Sequence, residues 1–297
     1  MTGSESLATG PTWPPARIAA GAVFYHPPEA AFELANLLAE QFDDVFVVEN
    51  QSVRYQPAAG GGIRLIRNRE NLGLATAINQ LCEAARQAGH DWLVLFDQDS
   101  RVPADFRAGL DECLPGLDQP PALLAANYET EILGRHFAGY PSSPRGRVTE
   151  LTVALNSGSM VNLAIHKKIG GHDEAFFVDH VDHDYCLRLA RNGFRVLGTV
   201  RPLFRHEVGN VASARKFGRV WQSSGHSIDR RREWAEGLVR LAKRHWRLKP
   251  GWVLVRLCVD LPRSMVAVIL LESRKKAKLG AVLGGLWRGI FSSESVR

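Results

Sequence analysis

The stretch 92-WLVLFDQDSR-101 constrains the fold of this chain more than any other. Five apolar residues, from Trp92 to Phe96, run without polar alternation, which indicates a strand covered on both faces of a parallel α/β sheet. The strand ends abruptly at Asp97, and Asp99 follows two positions later. Such sheets bind their ligands at the carboxyl ends of their strands. The stretch therefore predicts both a sheet type and the position of a site on it.

Asp97 and Asp99 would point the same way in an extended segment, because side chains at i and i+2 share a face. Two converging negative charges repel each other unless a cation lies between them. Carboxylate oxygens suit Mg²⁺ or Mn²⁺ holding a diphosphate. The alternative is a solvated turn, because Asp and Ser favour turns. The pair alone does not decide between the two.

Strands and helices alternate before this stretch. We predict, in chain order, a strand at 17–25, a helix at 29–41, strands at 45–50 and 63–67, and a helix within 68–89. This order, with its short crossovers, predicts an open α/β sheet, mostly parallel, with helices on both faces. Polar residues follow the carboxyl ends of these strands, so we expect them along one sheet edge.

The pattern loosens after residue 101. We predict, in chain order, a helix near 104–114, a strand at 122–127, a surface loop at 138–147, a strand at 150–155, a helix at 182–192 and a strand at 194–200. From about residue 217 the composition predicts helices.

Charge divides the chain into unequal parts. The net charge is +6, but the segment from Arg215 to Arg297 holds 19 basic and 6 acidic residues, or +13. The first 214 residues hold 18 and 25, or −7. A basic tail seeks an anionic surface, either nucleic acid or lipid headgroups. We divide the chain into a disordered leader without signal-peptide features (1–16), a catalytic domain (17–212) and a basic, Trp-rich helical extension (213–297).

The extension allows two interpretations. Segment 230–249 places Trp234, Leu238, Leu241 and Trp246 near helical spacing among basic residues, which suits a membrane interface or a helix packed on the catalytic body. The run 265-MVAVILL-271 falls short of the ~20 residues that cross a bilayer. No zinc-finger, helix-turn-helix or RNP-like motif supports nucleic-acid binding. The four cysteines lack a C-x-x-C pair, which fits a reducing compartment.

A second acidic cluster is 179-DHVDHDYCLR-188. Acids at a helix start favour the helix dipole, but this explains one or two of them and not three with two histidines. Asp182 is a candidate general base, since a base needs a carboxylate facing the acceptor hydroxyl. Asp184 and Arg188 stand at i, i+4 and can pair. Arg205 and His206 follow the last strand, where Arg205 offers a diphosphate a cationic partner.

Nucleotide motifs of other families are missing from the sequence. No G-x-G-x-x-G follows the first strand, and no G-x-x-x-x-G-K-[ST] occurs. The order of the remaining motifs resembles the inverting family-2 glycosyltransferases of the GT-A fold, and within them the rhamnosyltransferases that use dTDP-L-rhamnose. The resemblance covers about residues 17–210 and rests on 47-VVENQS-52, 71-NLGLATAIN-79, 96-FDQDS-100, 156-NSGSMV-161, 173-DEAFFVDHVDHDYCLR-188 and His206.

The resemblance implies a role for each matched position. Asp182 is expected to be the catalytic base, and the expected metal ligands for Mg²⁺ or Mn²⁺ are Asp97, Asp99 and His206. The expected donor-binding residues are Tyr25, Glu49, Asn50, Asn71, Gly73, Asn79, Asp97, Gln98 and Arg205. The chain departs from the family at Glu49, usually Asp, and at Val181, often Glu. It also lacks the Tyr-Tyr and Arg-Asn signature expected near 221–232.

The resemblance implies an inverting transfer of L-rhamnose from dTDP-L-rhamnose to a glycan or lipid-linked acceptor in cell-surface polysaccharide or glycolipid synthesis. We expect a cytoplasmic protein held peripherally on the inner leaflet through its basic helices, with no nucleic-acid partner. The alternatives are the same fold with a UDP- or GDP-sugar donor, or a non-catalytic sugar-nucleotide-binding or membrane-binding protein.

Overall fold

The computed structural model describes residues 17–51, 55–57, 62–115, 117, 119–132, 135–140, 146–206 and 212–292. The expected disordered leader, residues 1–16, lies outside the described residues. The strands are β1 Ile18–Phe24, β2 Val45–Asn50, β3 Ile63–Asn68, β4 Trp92–Asp97, β5 Ser100–Arg101, β6 Leu123–Ile132, β7 Arg135–Ala138, β8 Val148–Glu150, β9 Ser159–Asn162, β10 Val196–His206, β11 Ala212–Lys216 and β12 Arg219–Ser223. The helices are α1 Glu29–Ala39, α2 Leu74–Gln87, α3 Phe106–Asp111, α4 Leu163–Lys168, α5 Val181–Arg191, α6 Ile228–His245, α7 Pro250–Val255, a π-helical turn Arg256–Asp260, α8 Leu261–Leu271 and α9 Lys275–Phe291.

One large sheet organises the described part of the chain. Its strand order is β3-β2-β1-β4-β9-β6-β10-β5, with β7 paired to β6 and β8 to β10. Six of its strands run in one direction, and β9 lies antiparallel between β4 and β6. The predicted α/β fold with a mostly parallel open sheet is confirmed.

Strand β4 lies inside the sheet and packs on both faces. Trp92, Val94 and Phe96 join the apolar core that contains residues of α1 and α3. Leu93 and Leu95 point to the opposite face, into the core that contains residues of α2 and α5. This alternation follows from the two-residue period of a strand, and it explains why the run Trp92 to Phe96 has no polar position.

Some predicted boundaries were wrong. The strand expected at 150–155 lies at 148–150, where β8 pairs with β10. The strand expected at 194–200 continues to residue 206, because its end pairs with β5. The hairpin of β11 and β12 occupies a region that was expected to be helical. Strand β7 enters the expected loop 138–147, of which residues 141–145 lie outside the described part.

The extension packs on the catalytic body through α6. Leu238 and Leu241 are buried, and Leu241 belongs to the same core as Leu93 of β4. Segment 230–249 thus packs on the body through Leu238 and Leu241, whereas Trp246 in the same segment stays exposed. Helix α9 lies against α6 with Gly285 at the contact. Within the described residues, no helix has the length and apolar character needed to cross a bilayer.

Candidate active site

Asp97, Asp99 and His206 meet at the carboxyl end of β4. Their ligand atoms all lie within 4.8 Å of one another. Antiparallel pairing of β5 with β10 produces this meeting, because it sets His206 opposite Ser100, the residue after Asp99. His206 therefore comes from a strand a hundred residues later, which sequence spacing does not reveal.

Three neighbouring charges act on the half-buried Asp97 carboxyl. Burial raises its pKa to about 6, the charge of His206 lowers it, and the charges of Asp99 and Asp182 raise it. The charge of Asp182 acts on Asp97, so that carboxylate lies within electrostatic range of the cluster. A site with three carboxylates and one buried imidazole is short of positive charge.

The residues of the cluster fit a divalent cation. Nδ1 of His206 is buried without a hydrogen-bond partner among the described residues, and it lies 3.8 Å from Oδ1 of Asp99. That spacing is too long for a hydrogen bond but suits two ligands of one ion. One imidazole and two carboxylates form a donor set that Mn²⁺ and Mg²⁺ accept.

Hydrogen bonds fix the segment that carries the two acids. The Gln98 amide accepts from the backbone N–H of Tyr25 at 2.8 Å and donates to the Tyr25 carbonyl at 3.1 Å. The Ser157 hydroxyl accepts from the Asp97 N–H at 3.3 Å and bonds the Ser100 hydroxyl at 2.6 Å. Gln98 and Tyr25 thus engage each other, and the Tyr25 ring stays exposed. Ser157 was not predicted individually, although it lies in the motif 156-NSGSMV-161.

The three acids around the start of α5 have different partners. Asp179 forms a bidentate pair with Arg230 of α6 at 3.0 and 3.2 Å. Asp184 is fully buried; burial alone would raise its pKa, but His245, Arg188 and Arg244 together lower it. Asp182 is half-buried and accepts a hydrogen bond from the His183 N–H at 2.8 Å.

Asp182 forms no ion pair within the described part of the chain. Arginines hold its two acidic neighbours in fixed positions. Of the three, Asp182 has the carboxylate that remains available beside the Asp97 cluster, as a base requires. The predicted pair of Asp184 and Arg188 is confirmed at 2.7 Å.

Helix α6 holds the loop that precedes Asp182. Arg244 donates to Asp173 at 2.6 Å and to Asp184 at 2.9 Å. The Trp234 carbonyl bonds His180 Nε2 at 3.0 Å, and Arg240 donates to the Ala175 carbonyl. His180 adopts a left-handed backbone conformation, with φ +68°, immediately before α5. The extension therefore determines where α5 begins.

Glu49 and Asn50 lie buried at the end of β2, as their predicted position requires. Glu49 accepts from the Tyr55 N–H at 2.9 Å and from Arg67 at 3.0 Å. Asn50 accepts from Asn68 at 2.8 Å and donates to the Gly73 carbonyl at 3.2 Å. Both side chains thus order the segments around them. Arg67 was not predicted, although it lies one residue before the end of the neighbouring strand β3.

The turn 71–74 is packed against the loop before Asp182. Asn71 Oδ1 accepts from the Gly73 N–H at 3.0 Å, and the Leu74 N–H donates to the Phe177 carbonyl at 2.6 Å. Gly73 has φ +85°, and a Cβ there would lie 2.8 Å from the Phe177 carbonyl oxygen. Gly73 is required for both reasons. The turn connects the Asn50 region to the Asp182 loop.

Two predicted donor-binding residues have other partners. Both ends of the Asn79 amide bond the His172 backbone, and Nδ2 also bonds Glu174, so Asn79 fastens the start of the 172–180 loop. Arg205 lies exposed and contacts Glu129 at 3.6 Å. Because neighbouring strand residues point to opposite faces, Arg205 turns away from the side that His206 occupies. The structure does not bring either residue to the Asp97 cluster.

Residues 32–126 match the sequence model described as Glycosyl transferase family 2. Over this segment the chain is similar to glycosyl transferase family 2. Over 187 residues it is 29% identical to the dTDP-rhamnosyl transferase RfbF of Shigella flexneri, a match that covers 55% of this chain and 62% of RfbF. The matched family segment includes Asp97 and Asp99.

A solved structure shows which type of fold this chain has. GalNAc-T7, crystallised with UDP, GalNAc and Mn²⁺, superimposes with a TM-score of 0.57 at 12% identity, covering 92% of this chain and 56% of that chain. TarS residues 1–349 of S. aureus give 0.48 at 14% identity, covering 92% and 90%. The first likeness shows a GT-A type of fold. The chain spans less than two thirds of RfbF and of the GalNAc-T7 chain.

Proposed function

We propose that this protein is an inverting glycosyltransferase that moves L-rhamnose from dTDP-L-rhamnose to a glycan or lipid-linked acceptor. One observation carries the proposal: Asp97, Asp99 and His206 converge at the end of β4, and the charge of Asp182, which has no ion pair among the described residues, acts on Asp97. The similarity to RfbF supports the donor, because the name of that protein specifies dTDP-rhamnosyl transfer.

Asp97, Asp99 and His206 would hold Mg²⁺ or Mn²⁺. When bound, such an ion supplies Lewis-acid stabilisation of the charge that builds up on a departing nucleoside diphosphate. The chain itself holds the segment of the two carboxylates in position through Gln98 and Ser157, and within the described residues His206 Nδ1 has no hydrogen-bond partner.

Asp182 is the proposed general base. Its carboxylate takes the proton of the acceptor hydroxyl as that oxygen attacks the anomeric carbon, and the bond to the diphosphate breaks on the opposite side. A single displacement of this kind inverts the anomeric configuration. Asp179 and Asp184 hold the helix that presents Asp182, because both are tied to α6. Glu49 and Asn50 border the proposed nucleoside end of the donor.

Nucleotide release from a panel of sugar nucleotides tests the donor and the metal together. We expect slow hydrolysis of dTDP-L-rhamnose that requires Mg²⁺ or Mn²⁺, with little release from UDP- or GDP-sugars. If nucleotide were released only from a UDP- or GDP-sugar, the protein would still be a glycosyltransferase, but its assignment as a rhamnosyltransferase would be wrong. Failure of every donor to bind in calorimetry would contradict both.

We also propose that the enzyme works peripherally at the cytoplasmic leaflet, where a lipid-linked acceptor would lie. The excess of basic residues after residue 214 supports this placement, because anionic headgroups attract cations near the surface. The expected consequence is binding to anionic vesicles that weakens as salt rises.

A further inference from the structure

A phenylalanine stands at the tip of the β11–β12 hairpin with no covering protein. Phe217 is 86% exposed and has φ +53°, between Lys216 and Gly218. Among the described residues, eleven of the fourteen exposed large apolar side chains lie after residue 212. Exposed apolar surface on the body is scattered, whereas on the extension it is concentrated, which marks an interaction surface.

The hairpin lies against α8, so Phe217 adjoins a second apolar feature. Lys216 Nζ donates to the Leu270 carbonyl at 3.1 Å, and Arg263 reaches the Val220 carbonyl at 3.5 Å. A groove of about 560 Å³ lies between the hairpin and the helical segment 258–263. It is lined by Arg219, Val220, Trp221, Cys258, Val259 and Arg263.

An apolar stripe continues from this groove along the helices. Its exposed members recur near helical spacing and are Val255, Val259, Val266 and Ile269. We call Phe217, this stripe and the cations Arg215, Lys216, Arg219 and Arg263 the hairpin–α8 surface.

The charges of the hairpin–α8 surface have one sign. Arg215, Lys216, Arg219 and Arg263 are exposed, and none forms an ion pair within the described part of the chain. The nearby Asp260 is taken by Arg256 at 3.0 Å. Cations without ion pairs, next to exposed apolar side chains, are complementary to a partner surface whose outer layer is anionic and whose inner layer is apolar.

We propose that the hairpin–α8 surface docks on an anionic lipid bilayer, with Phe217 and the valines among the headgroups and the four cations on lipid phosphates. A second copy of this chain fits less well, because a twofold contact would place the same four cations against each other. The inference deepens the proposed membrane attachment and assigns it to residues outside segment 230–249. It does not depend on sugar transfer.

Vesicle flotation of the full chain tests the surface. The probes are vesicles of phosphatidylcholine alone and of phosphatidylcholine with an equal part of phosphatidylglycerol, each at low and high salt. Phe217→Ser should weaken partition into anionic vesicles about tenfold, because a large apolar side chain leaves the interface. Arg219→Gln with Arg263→Gln should weaken it by more than tenfold, at about 1 kcal/mol or fivefold per cation.

The controls separate docking from folding and from catalysis. Phe137→Ser removes a half-exposed phenylalanine from β7 on the catalytic body and should leave vesicle binding unchanged. Sugar-nucleotide hydrolysis without vesicles should also be unchanged in Phe217→Ser. The proposal is overturned if the wild-type protein does not bind anionic vesicles at low salt, or if it binds neutral vesicles equally well. It is also overturned if Phe217→Ser and the variant with Arg219→Gln and Arg263→Gln bind anionic vesicles as well as the wild type does. A dimer that Phe217→Ser dissociates would also overturn it, in favour of self-association. Vesicle binding by a protein that binds no nucleotide sugar would contradict the proposed transferase and support the docking surface.

Discussion

At the scale of single residues, the acids of the α5 region differ by their partners and not by their type. Asp179 and Asp184 are each bonded to arginines, whereas Asp182 keeps its carboxylate beside the metal-type cluster. A base needs this availability, because a carboxylate locked by arginine accepts a proton poorly. The chemistry of the site therefore depends on which acid the fold leaves unpaired.

Asp182→Asn should lower turnover by ~10²–10⁴, the usual contribution of general-base catalysis. Donor affinity should stay unchanged, because Asn has the same shape and the change removes only basicity. Initial rates and calorimetric titration with dTDP-L-rhamnose measure the two effects. Asp111→Asn is the matched control and should keep the activity, since that half-exposed acid lies on α3, where it pairs with Arg107. Equal losses in both variants would contradict the assignment.

His206→Ala should weaken Mn²⁺ binding by about tenfold or more, a lower bound taken from changes that spare the ligands themselves. The reason is the loss of the buried Nδ1 that faces Asp99. Titration of Mn²⁺ followed by electron paramagnetic resonance measures this without any substrate. His226→Ala serves as a control because that histidine lies in the extension near Arg230. If Mn²⁺ affinity stayed the same in His206→Ala, His206 would not be a ligand.

Local patterns predicted most of the parallel half of the fold and the acids of the site. The run Trp92 to Phe96 and the pair Asp97 and Asp99 carry their information in adjacent positions. The pairing of strands that lie far apart in the chain could not be predicted from local patterns. His206 reaches Asp99 through the β5–β10 pairing, and Arg205 turns away for the same reason. Asn79 had a suitable residue type but a different partner, the 172–180 loop.

At the scale of elements, α6 acts as a support for the loop that presents Asp182. Arg244 joins Asp173 to Asp184, so it spans both ends of this loop. The sequence predicted a basic amphipathic helix but did not show whether it packs on the catalytic body or lies at a membrane. The packing of this helix depends on which of its cations pair with acids that lie 51 to 71 residues earlier in the chain.

Arg244→Met should lower turnover more than it lowers donor affinity, because the loop before Asp182 loses its clamp. It should also cost about 1–3 kcal/mol of unfolding free energy, since a hydrogen bond to the buried Asp184 carboxylate disappears. Arg244→Lys should restore part of the turnover by returning the charge. Steady-state kinetics, calorimetry and urea unfolding measure these quantities. A stability loss with unaltered turnover would assign Arg244 to folding alone.

The His166 pocket below α5 should make stability depend on pH. Burial, with the charge of Arg188, lowers the pKa of His166 from 6.5 to about 4, while Glu83 opposes this shift. Between pH 6.5 and about 4, His166 binds a proton in the unfolded chain but stays neutral in the folded protein. Stability is therefore full above pH 6.5 and falls as pH approaches 4, by about 3 kcal/mol for this group.

Urea unfolding of wild type and His166→Gln between pH 7 and 4 isolates this contribution from that of the carboxylates. We expect the difference in unfolding free energy between the two proteins to shrink or reverse as pH falls. His172, which bonds His166 at 3.2 Å, faces the same pocket, so its own titration adds to the wild-type slope. A difference that stays constant with pH would show that His166 is not held neutral.

At the scale of the whole molecule, contacts join the acidic body to the basic extension, and we expect the two to unfold as one unit. Leu241 lies in the core shared with β4, and Arg230, Arg240 and Arg244 bond the loop before Asp182. The division at residue 212 that the charge distribution suggested is therefore not a boundary between independent cores. Five of the seven tryptophans lie after that residue, so fluorescence reports mainly on the extension.

Two neighbouring glycines of α9 test this coupling. A Cβ at Gly285 would lie 2.2 Å from the Arg232 carbonyl oxygen of α6, whereas a Cβ at Gly284 would meet nothing within 4 Å. Gly285→Ala should therefore force α9 away from α6 and cost about 1–3 kcal/mol. Gly284→Ala should be neutral or stabilising by about 0.5–1 kcal/mol, since Ala loses less backbone entropy in a helix.

The two glycine variants should be compared by two probes during urea unfolding. Tryptophan fluorescence follows the extension, and binding of the nucleotide donor follows the body. If the two parts fold as one unit, Gly285→Ala shifts both midpoints to lower urea together and Gly284→Ala shifts neither downward. A fluorescence midpoint that falls while donor binding keeps its wild-type midpoint would mean that α9 unfolds separately, and that the support of the Asp182 loop ends at α6.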